Sequence, residues 1–254
     1  DRGKMRRIHH IIKCDGFVAF YLCLVNALNI NGTLMTTLND LPLTSLLDRL
    51  FREAAENSPE NSAFLSQFSR AELDRLLRSK TEYLDLYTRL KEMPLPVSRE
   101  TGLLLYMLVR GSGARSIVEF GTSIGISTLH LAAALRDNGG GRLITTEFEP
   151  SKLMRARANL EAGGLADLVE IRAGDALDTL ANDLPASIDL VLLDGAKALY
   201  PDILKTLESN LRPGAIVVAD NANYCPEYMA YVRSGSNGYR SVGLADDVEF
   251  SIRL

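Results

Sequence analysis

From Ser116 onward, short apolar runs of strand length alternate with segments of helical periodicity, and this alternation constrains the fold more than any other feature. The predicted strands are 116–120, 142–147, 168–172, 188–193 and 214–219, and helical patterns lie between most of them, at 126–137, 150–162 and 201–211. Such alternation is typical of a parallel sheet with helices on both faces. The last segment, GYRSVGLADDVEFSIRL, instead predicts two strands joined by a turn at 246–247. We therefore predict a doubly wound α/β fold with a mostly parallel seven-stranded sheet and a C-terminal antiparallel hairpin.

The front of the chain is predicted to be helical and shows no chemistry of its own. Within 35–112 we expect one helix in 40–60, a longer one from the capping box of Ser69 and Glu72 to PLPVS at 94–98, and a third at 99–111. This segment is expected to pack on the main domain, 113–254. In residues 1–34, several basic residues precede a short apolar run. We interpret this segment as an extension of doubtful nativeness, and a signal peptide is the alternative interpretation.

The composition of the chain limits the classes of partner and binding site that we expect. The net charge of −4 argues against a general nucleic-acid binder, which would be strongly basic. Three cysteines without a CxxC pair argue against a disulfide scaffold or a cysteine zinc site. We expect a cytoplasmic protein that binds neither nucleic acid nor membrane.

Each predicted parallel strand delivers an acidic residue at or just beyond its carboxyl end, where open α/β sheets bind their ligands. In chain order these residues are Glu119, Glu147, Asp175, Asp194 and Asp220. One acid at such a position is unremarkable, but five together indicate a binding site along this edge of the sheet.

The loop after the first strand, Gly121-Thr122-Ser123-Ile124-Gly125, predicts a cofactor without a pyrophosphate. Its glycines permit a tight turn and a close backbone approach, yet Ser123 stands where a dinucleotide fold has its second glycine. Glu147, 26 residues beyond Gly121, is placed to accept the hydroxyls of a ribose. The alternatives are a purely structural turn and a solvated acid.

Asp194, Asp220 and Asn221 follow the fourth and fifth strands. If those strands are neighbours, their ends lie about 5 Å apart, and three oxygen ligands could share Mg²⁺, Ca²⁺ or Mn²⁺. Lys197, three residues past Asp194, is a candidate general base. The alternatives are that the two aspartates cap the following turns and that the lysine is a surface charge.

Five segments resemble the successive motifs of the cation-dependent O-methyltransferases, the family of catechol and caffeoyl-CoA O-methyltransferases. They are IVEFGTSIGISTLHLAAAL, LITTEFEP, VEIRAGDAL, IDLVLLDGAKALY and LRPGAIVVADN, and the similarity covers about residues 94–254. The resemblance implies a Rossmann-like methyltransferase fold that binds S-adenosylmethionine (SAM). It also leads us to expect a homodimer.

The resemblance also implies roles for individual residues. Ser98 and Ser127 would approach the methionine end of SAM, Glu147 its ribose, and Asp175 and Ala176 its adenine. The loop residues Glu119, Gly121, Thr122, Ser123 and Gly125 complete the expected cofactor site, together with Asp194. Asp194, Asp220 and Asn221 would bind the cation, and Lys197 would be the base.

The resemblance thus implies methyl transfer to a hydroxyl of a small phenolic or catechol-like acceptor, assisted by a divalent cation. Departures from the family pattern at Ala196 and Ala198 leave the contacts of that loop in doubt. Tyr224, Tyr228 and Tyr231 could stack on an aromatic acceptor, although packing explains them at least as well. A metal-independent methyltransferase, a nicotinamide-dependent oxidoreductase and a non-catalytic cofactor-binding protein remain alternatives.

Overall fold

The computed structural model describes residues 36–244 and 247–254. The extension predicted at 1–34 and Asp246 of the predicted turn lie outside the described residues.

Seven strands form one mixed sheet in the order β3-β2-β1-β4-β5-β7-β6. They are β1 (Ser116–Phe120), β2 (Arg142–Glu147), β3 (Val169–Ala173), β4 (Ile188–Leu193), β5 (Leu211–Ala219), β6 (Tyr239–Leu244) and β7 (Val248–Arg253). The first five are parallel and the last two are antiparallel, which confirms the predicted fold class. The chain order reverses between β1 and β4, and ligands bind open sheets of this type at such a switch point.

Nine α-helices accompany the sheet in the described part of the chain. They are α1 (Leu41–Glu56), α2 (Arg70–Leu77), α3 (Tyr83–Arg89), α4 (Arg99–Ser112), α5 (Ile126–Asp137), α6 (Pro150–Ala162), α7 (Ala176–Thr179), α8 (Tyr200–Leu207) and α9 (Pro226–Arg233). None of these helices is both long enough and apolar enough to cross a bilayer.

Two apolar clusters cover the two faces of the sheet, as a doubly wound fold requires. One joins α1, α4 and α5 to residues such as Ile117 and Leu192; the other joins α8 and α9 to residues such as Val118 and Val191. Because β1 and β4 are buried on both faces, apolar residues occupy consecutive positions in them, as at Ile117 and Val118 and at 190–193, rather than alternate positions.

The sequence was wrong about one long helix between Ser69 and the prolines. The capping box forms as predicted, but α2 ends at Leu77 and α3 begins only at Tyr83. The Ser79 hydroxyl accepts the backbone N–H groups of Thr81 and Glu82 and so competes with the helical hydrogen bonds there. The break allows α3 to lie over the ligand-binding edge of the sheet.

Candidate functional site

The turn after β1 is held in a conformation that brings backbone close to the end of β4. Gly121 has φ +102°, and a Cβ atom there would lie 2.6 Å from the carbonyl oxygen of Asp194. Ser123 is also left-handed, with φ 49°, and its hydroxyl donates to the carbonyl of Pro94. The backbone N–H and the hydroxyl of Thr122 both donate to the carbonyl of Thr146, at 3.0 and 2.9 Å. The turn is therefore fixed before any ligand arrives.

Gly125 is left-handed and stands immediately before α5. A Cβ atom at this position would make only an ordinary van der Waals contact with Ala156 of α6, at 3.7 Å, so the left-handed backbone is what favours glycine here.

Glu147 is buried at the end of β2, beside this turn. Its two carboxylate oxygens accept the backbone N–H groups of Ser123 and Glu149, at 2.8 and 2.9 Å. Burial raises the pKa of Glu147, while these N–H groups and Lys152 oppose the rise. The arrangement fixes the direction of a carboxylate that also lines a cavity.

This cavity, which we call the cofactor cavity, lies over the carboxyl ends of β1 to β4. Its walls include the predicted residues Gly121, Ser123, Glu147, Asp175, Ala176 and Asp194. A smaller recess beyond Gly121 adds Thr122 and Ser127. The hydroxyl of Thr146, on the wall of the cavity, is buried without a hydrogen-bond partner among the described residues.

Helix α3 contributes a wall that the sequence did not indicate. Tyr83, Leu84 and Tyr87 line the cofactor cavity, and the Tyr83 hydroxyl donates to Asp175. Asp175 also accepts the N–H of Leu177 at 2.9 Å. The residue predicted to border adenine is therefore tied to the helix that covers it. The tyrosines are 92 and 88 residues away from Asp175 in sequence, and only their helical spacing, one turn apart, could have drawn attention to them.

Glu119 lies beneath the site and does not line either part of it. It is fully buried and accepts the hydroxyls of Ser127 and Thr128, both at 2.6 Å. Burial raises the pKa of Glu119 to about 7 even though these hydroxyls oppose the rise. Ser127, expected at the methionine end of SAM, thus donates its proton to Glu119 and orients its oxygen accordingly.

A pH effect on stability follows from this burial. Between its unfolded pKa of 4.5 and its folded pKa of about 7, Glu119 binds more protons in the native state, so its contribution to stability falls as pH rises. Glutamine cannot titrate. Relative to Glu119→Gln, the wild-type free energy of unfolding should fall by about 3 kcal/mol from pH 4.5 to pH 8. Urea titrations across this range measure the difference, and a constant difference would contradict the assignment.

Asp194 and Asp220 directly follow β4 and β5, whose last residues Leu193 and Ala219 are paired, and each carboxyl group influences the pKa of the other. Burial raises the pKa of both groups; that of Asp220 reaches about 7, with the charges of Asp194 and Asp247 adding to the effect. Tyr200 donates at 2.7 Å to the Asp220 carbonyl and fixes the backbone there. Two neighbouring buried carboxyl groups favour a shared proton or a cation, and for Asp194 the Lys197 ammonium supplies part of that charge.

Lys197 is buried and its Nζ lies 2.8 Å from Oδ1 of Asp194. Burial alone would lower the pKa of Lys197, but the charge of Asp194 outweighs it and the pKa is well above the usual value. The lysine is therefore an ammonium ion in this arrangement, not a ready base. The alternative interpretation of Lys197 as a solvated surface charge is therefore wrong.

Asn221 follows Asp220 and is left-handed, with φ 51°. It lines a second cavity, the acceptor-side cavity, together with Asp220, Ser98 and Asp247. The opposite wall of this cavity is largely apolar and comes from the end of α1 and the 94–98 segment, with Phe51, Ala54, Ala55, Pro96 and Val97. Ser98 itself is the N-cap of α4, where its hydroxyl accepts the N–H of Thr101 at 3.0 Å.

None of the three tyrosines considered for acceptor stacking lines the acceptor-side cavity. Tyr228 is fully buried and packs edge-on against Tyr200, with ring centroids 5.8 Å apart. The Tyr231 hydroxyl donates to Glu208 at 3.0 Å. The acceptor-side cavity is instead lined by the front helix α1, which the sequence treated as packing only.

Known proteins with similar sequences and structures are methyltransferases. A family model described as a methyltransferase domain matches residues 118–222. A catechol O-methyltransferase of Niastella koreensis is 36% identical over 128 residues, which cover 49% of this chain and 57% of the relative. Catechol O-methyltransferase B of Danio rerio is 28% identical over 246 residues, with 92% and 89% covered. The match to the bacterial relative therefore spans less than two thirds of that protein's length.

Among solved structures, the O-methyltransferase TomG of Streptomyces achromogenes, involved in tomaymycin synthesis and solved in complex with SAM, superposes with a TM-score of 0.54. It is 29% identical, and the match covers 72% of this chain and 94% of that one.

Proposed function

Because this chain belongs to the SAM-dependent O-methyltransferase family related to the catechol O-methyltransferases, we propose that it transfers the methyl group of SAM to one hydroxyl of a vicinal diol on an aromatic ring. The observation that carries the proposal is the position of Asp194, Asp220 and Asn221. Asp194 lines the cofactor cavity, and Asp220 and Asn221 line the acceptor-side cavity. The cluster therefore stands where a methyl donor and an acceptor would meet.

The cofactor would occupy the cavity over β1 to β4. Glu147 would accept the ribose hydroxyls with a carboxylate that two backbone N–H groups already orient. Asp175 and Ala176 would border the adenine, and α3 would cover it through Tyr83. The Gly121 turn and Ser127 would hold the methionine end. Such preorganisation limits the entropy lost when the cofactor binds.

The donor set of the acidic cluster fits a hard divalent cation. Two carboxylates and an amide oxygen are ligands that suit Mg²⁺, Ca²⁺ or Mn²⁺. Within 36–244 and 247–254, no three His, Cys, Asp or Glu side chains group closely enough to hold a metal ion, so the site depends on the Asn221 amide. A divalent cation held there would supply Lewis acidity that lowers the pKa of an acceptor hydroxyl.

The protein would contribute orientation and exclusion of water. The apolar wall from α1 would hold the aromatic ring, with its hydroxyls toward Asp220 and Asn221. Lys197 is our proposed acceptor of the hydroxyl proton. For that role the charge of Asp194 must be shared with another partner when substrate is bound, because Asp194 otherwise keeps the lysine protonated. Once Lys197 had released its own proton to solvent, its neutral Nζ would accept the proton that leaves the acceptor hydroxyl.

Methyl transfer from labelled SAM tests the proposal directly. Catechol should be methylated and phenol should not, because only catechol presents two adjacent oxygens to the cluster. Transfer should stop in EDTA and return with excess Mg²⁺. Equal rates for catechol and phenol, undiminished in EDTA, would instead support the metal-independent methyltransferase. Binding of SAM without transfer to any phenol would support a non-catalytic protein.

A further inference from the structure

Asn221 is held by a residue of the C-terminal hairpin. Its amide nitrogen donates to Oδ2 of Asp247 at 3.2 Å. Asp247 immediately precedes β7 and lies beside Asp220 and Asn221 on the wall of the acceptor-side cavity. The residue is 26 positions away from Asn221, and the sequence indicated it only as part of a turn.

The hairpin is anchored to the strand that carries the cluster. The backbone carbonyl of Asp247 accepts the N–H of Ala222 at 2.8 Å. Strand β7 pairs with β5 up to Ala219 and Glu249, directly beside the acidic cluster. The distance between Asp247 and Asn221 is therefore set by backbone hydrogen bonds on both sides and not by side-chain flexibility alone.

This contact decides which end of the Asn221 amide is available. A side-chain amide has a donating nitrogen and an accepting oxygen, whereas an ionised carboxylate only accepts. Asp247 therefore selects the nitrogen and leaves the oxygen directed away from itself. A cation needs that oxygen, and an amide turned the other way would present N–H groups that repel it.

We propose that Asp247 is a positioning residue that fixes the Asn221 amide so that its oxygen is available to a divalent cation shared with Asp194 and Asp220. The inference rests on the cation site of the proposed function. It assigns Asp247 a role through Asn221, in place of a direct ligand role or that of an ordinary surface acid. Partners that orient metal ligands commonly matter for affinity almost as much as the ligands.

Two substitutions separate these roles. Asp247→Asn removes the charge but supplies an amide oxygen that can still accept from Asn221. Asp247→Ala removes the acceptor altogether. Binding of Mn²⁺ to the protein with S-adenosylhomocysteine (SAH) can be followed by the electron paramagnetic resonance signal of the free ion, independently of catalysis. Glu161→Ala, an exposed acid in the last turn of α6, is the matched control.

We expect Asp247→Ala to weaken Mn²⁺ binding by about tenfold or more. Asp247→Asn should remain close to wild type, as should the control. Equal weakening of Mn²⁺ binding by both variants would mean that the charge of Asp247, or its direct ligation of the ion, matters. Unchanged binding in Asp247→Ala would mean that Asp247 has no role in binding the ion. Either result overturns the proposal. Thermal melting without metal shows whether each variant folds. If Asp247→Asn folds but no longer binds Mn²⁺, that result by itself contradicts a positioning role.

Wild-type protein that fails to bind Mn²⁺ would remove the cation from the proposed function and this inference with it. Wild-type protein that binds Mn²⁺ while Asp247→Ala binds equally well would overturn only the inference.

Discussion

Replacing Asp220 by alanine should lower kcat/KM for methylation of catechol by at least about 10³-fold, a loss of about 4 kcal/mol in transition-state stabilisation. Asp220 supplies one of only two carboxylates in the proposed cation site, and it faces the acceptor-side cavity. Its loss leaves Asp194 paired with Lys197 and without a second carboxylate for the ion. Methyl transfer should therefore fall at every concentration of Mg²⁺ that the wild type needs.

The affinity for SAH separates this effect from damage to the fold. Asp220 does not line the cofactor cavity, so Asp220→Ala should bind SAH about as tightly as the wild type in calorimetric titrations. Asp202→Ala is the control for loss of an acid. The Asp202 side chain is partly exposed, and within the described part of the chain its ion pair is with Lys80 alone. Near-normal turnover in Asp220→Ala would contradict the cation-assisted mechanism and favour the metal-independent one.

Replacing Glu147 by alanine should weaken SAH binding by at least about 100-fold, or about 2.7 kcal/mol. Two losses combine in this variant. The ribose loses a charged acceptor, and the N–H groups of Ser123 and Glu149 lose the carboxylate that orders the turn. Charge-assisted hydrogen bonds are stronger than neutral ones, which is why the expected effect is large.

Glu147→Gln is the matched variant, because it keeps the shape and one accepting oxygen but removes the charge. It should bind SAH with an affinity between those of the wild type and Glu147→Ala. Thermal melting of each variant without ligand controls for loss of structure. Wild-type affinity in a folded Glu147→Ala would show that the ribose is bound elsewhere.

Much of the sheet could be predicted because the central strands are buried on both faces. The bounds predicted for β1, β2 and β4 are those of the structure. Strand β5 begins at Leu211 and not at 214, because Leu211 pairs with Ile188 before a register shift that the pattern around Pro213 does not reveal. The same logic of neighbouring parallel strands brought Asp194 and Asp220 together, since that depends on strand order and not on loop detail.

The remaining parts of the site depend on long-range packing that periodicity does not encode. Tyr83 reaches Asp175 only because Ser79 interrupts the helix before it, and Asp247 reaches Asn221 only through the pairing of β5 with β7. The Lys197 environment was likewise hidden, because its partner Asp194 is buried beside it and reverses the direction in which burial alone would move the pKa. Sequence spacing placed Lys197 and Asn221 near the site without giving their contacts, and it did not place Tyr83 or Asp247 there.

Asp194, Asp220 and Asn221 should surround one cation beside a cofactor held by Glu147. A crystal structure of the protein grown with SAH and Mn²⁺, with anomalous diffraction data to locate the metal, measures this directly. We expect one strong anomalous peak among the oxygens of those three side chains, and SAH with its ribose on Glu147. A manganese peak elsewhere, or SAH outside the cavity over β1 to β4, would contradict it.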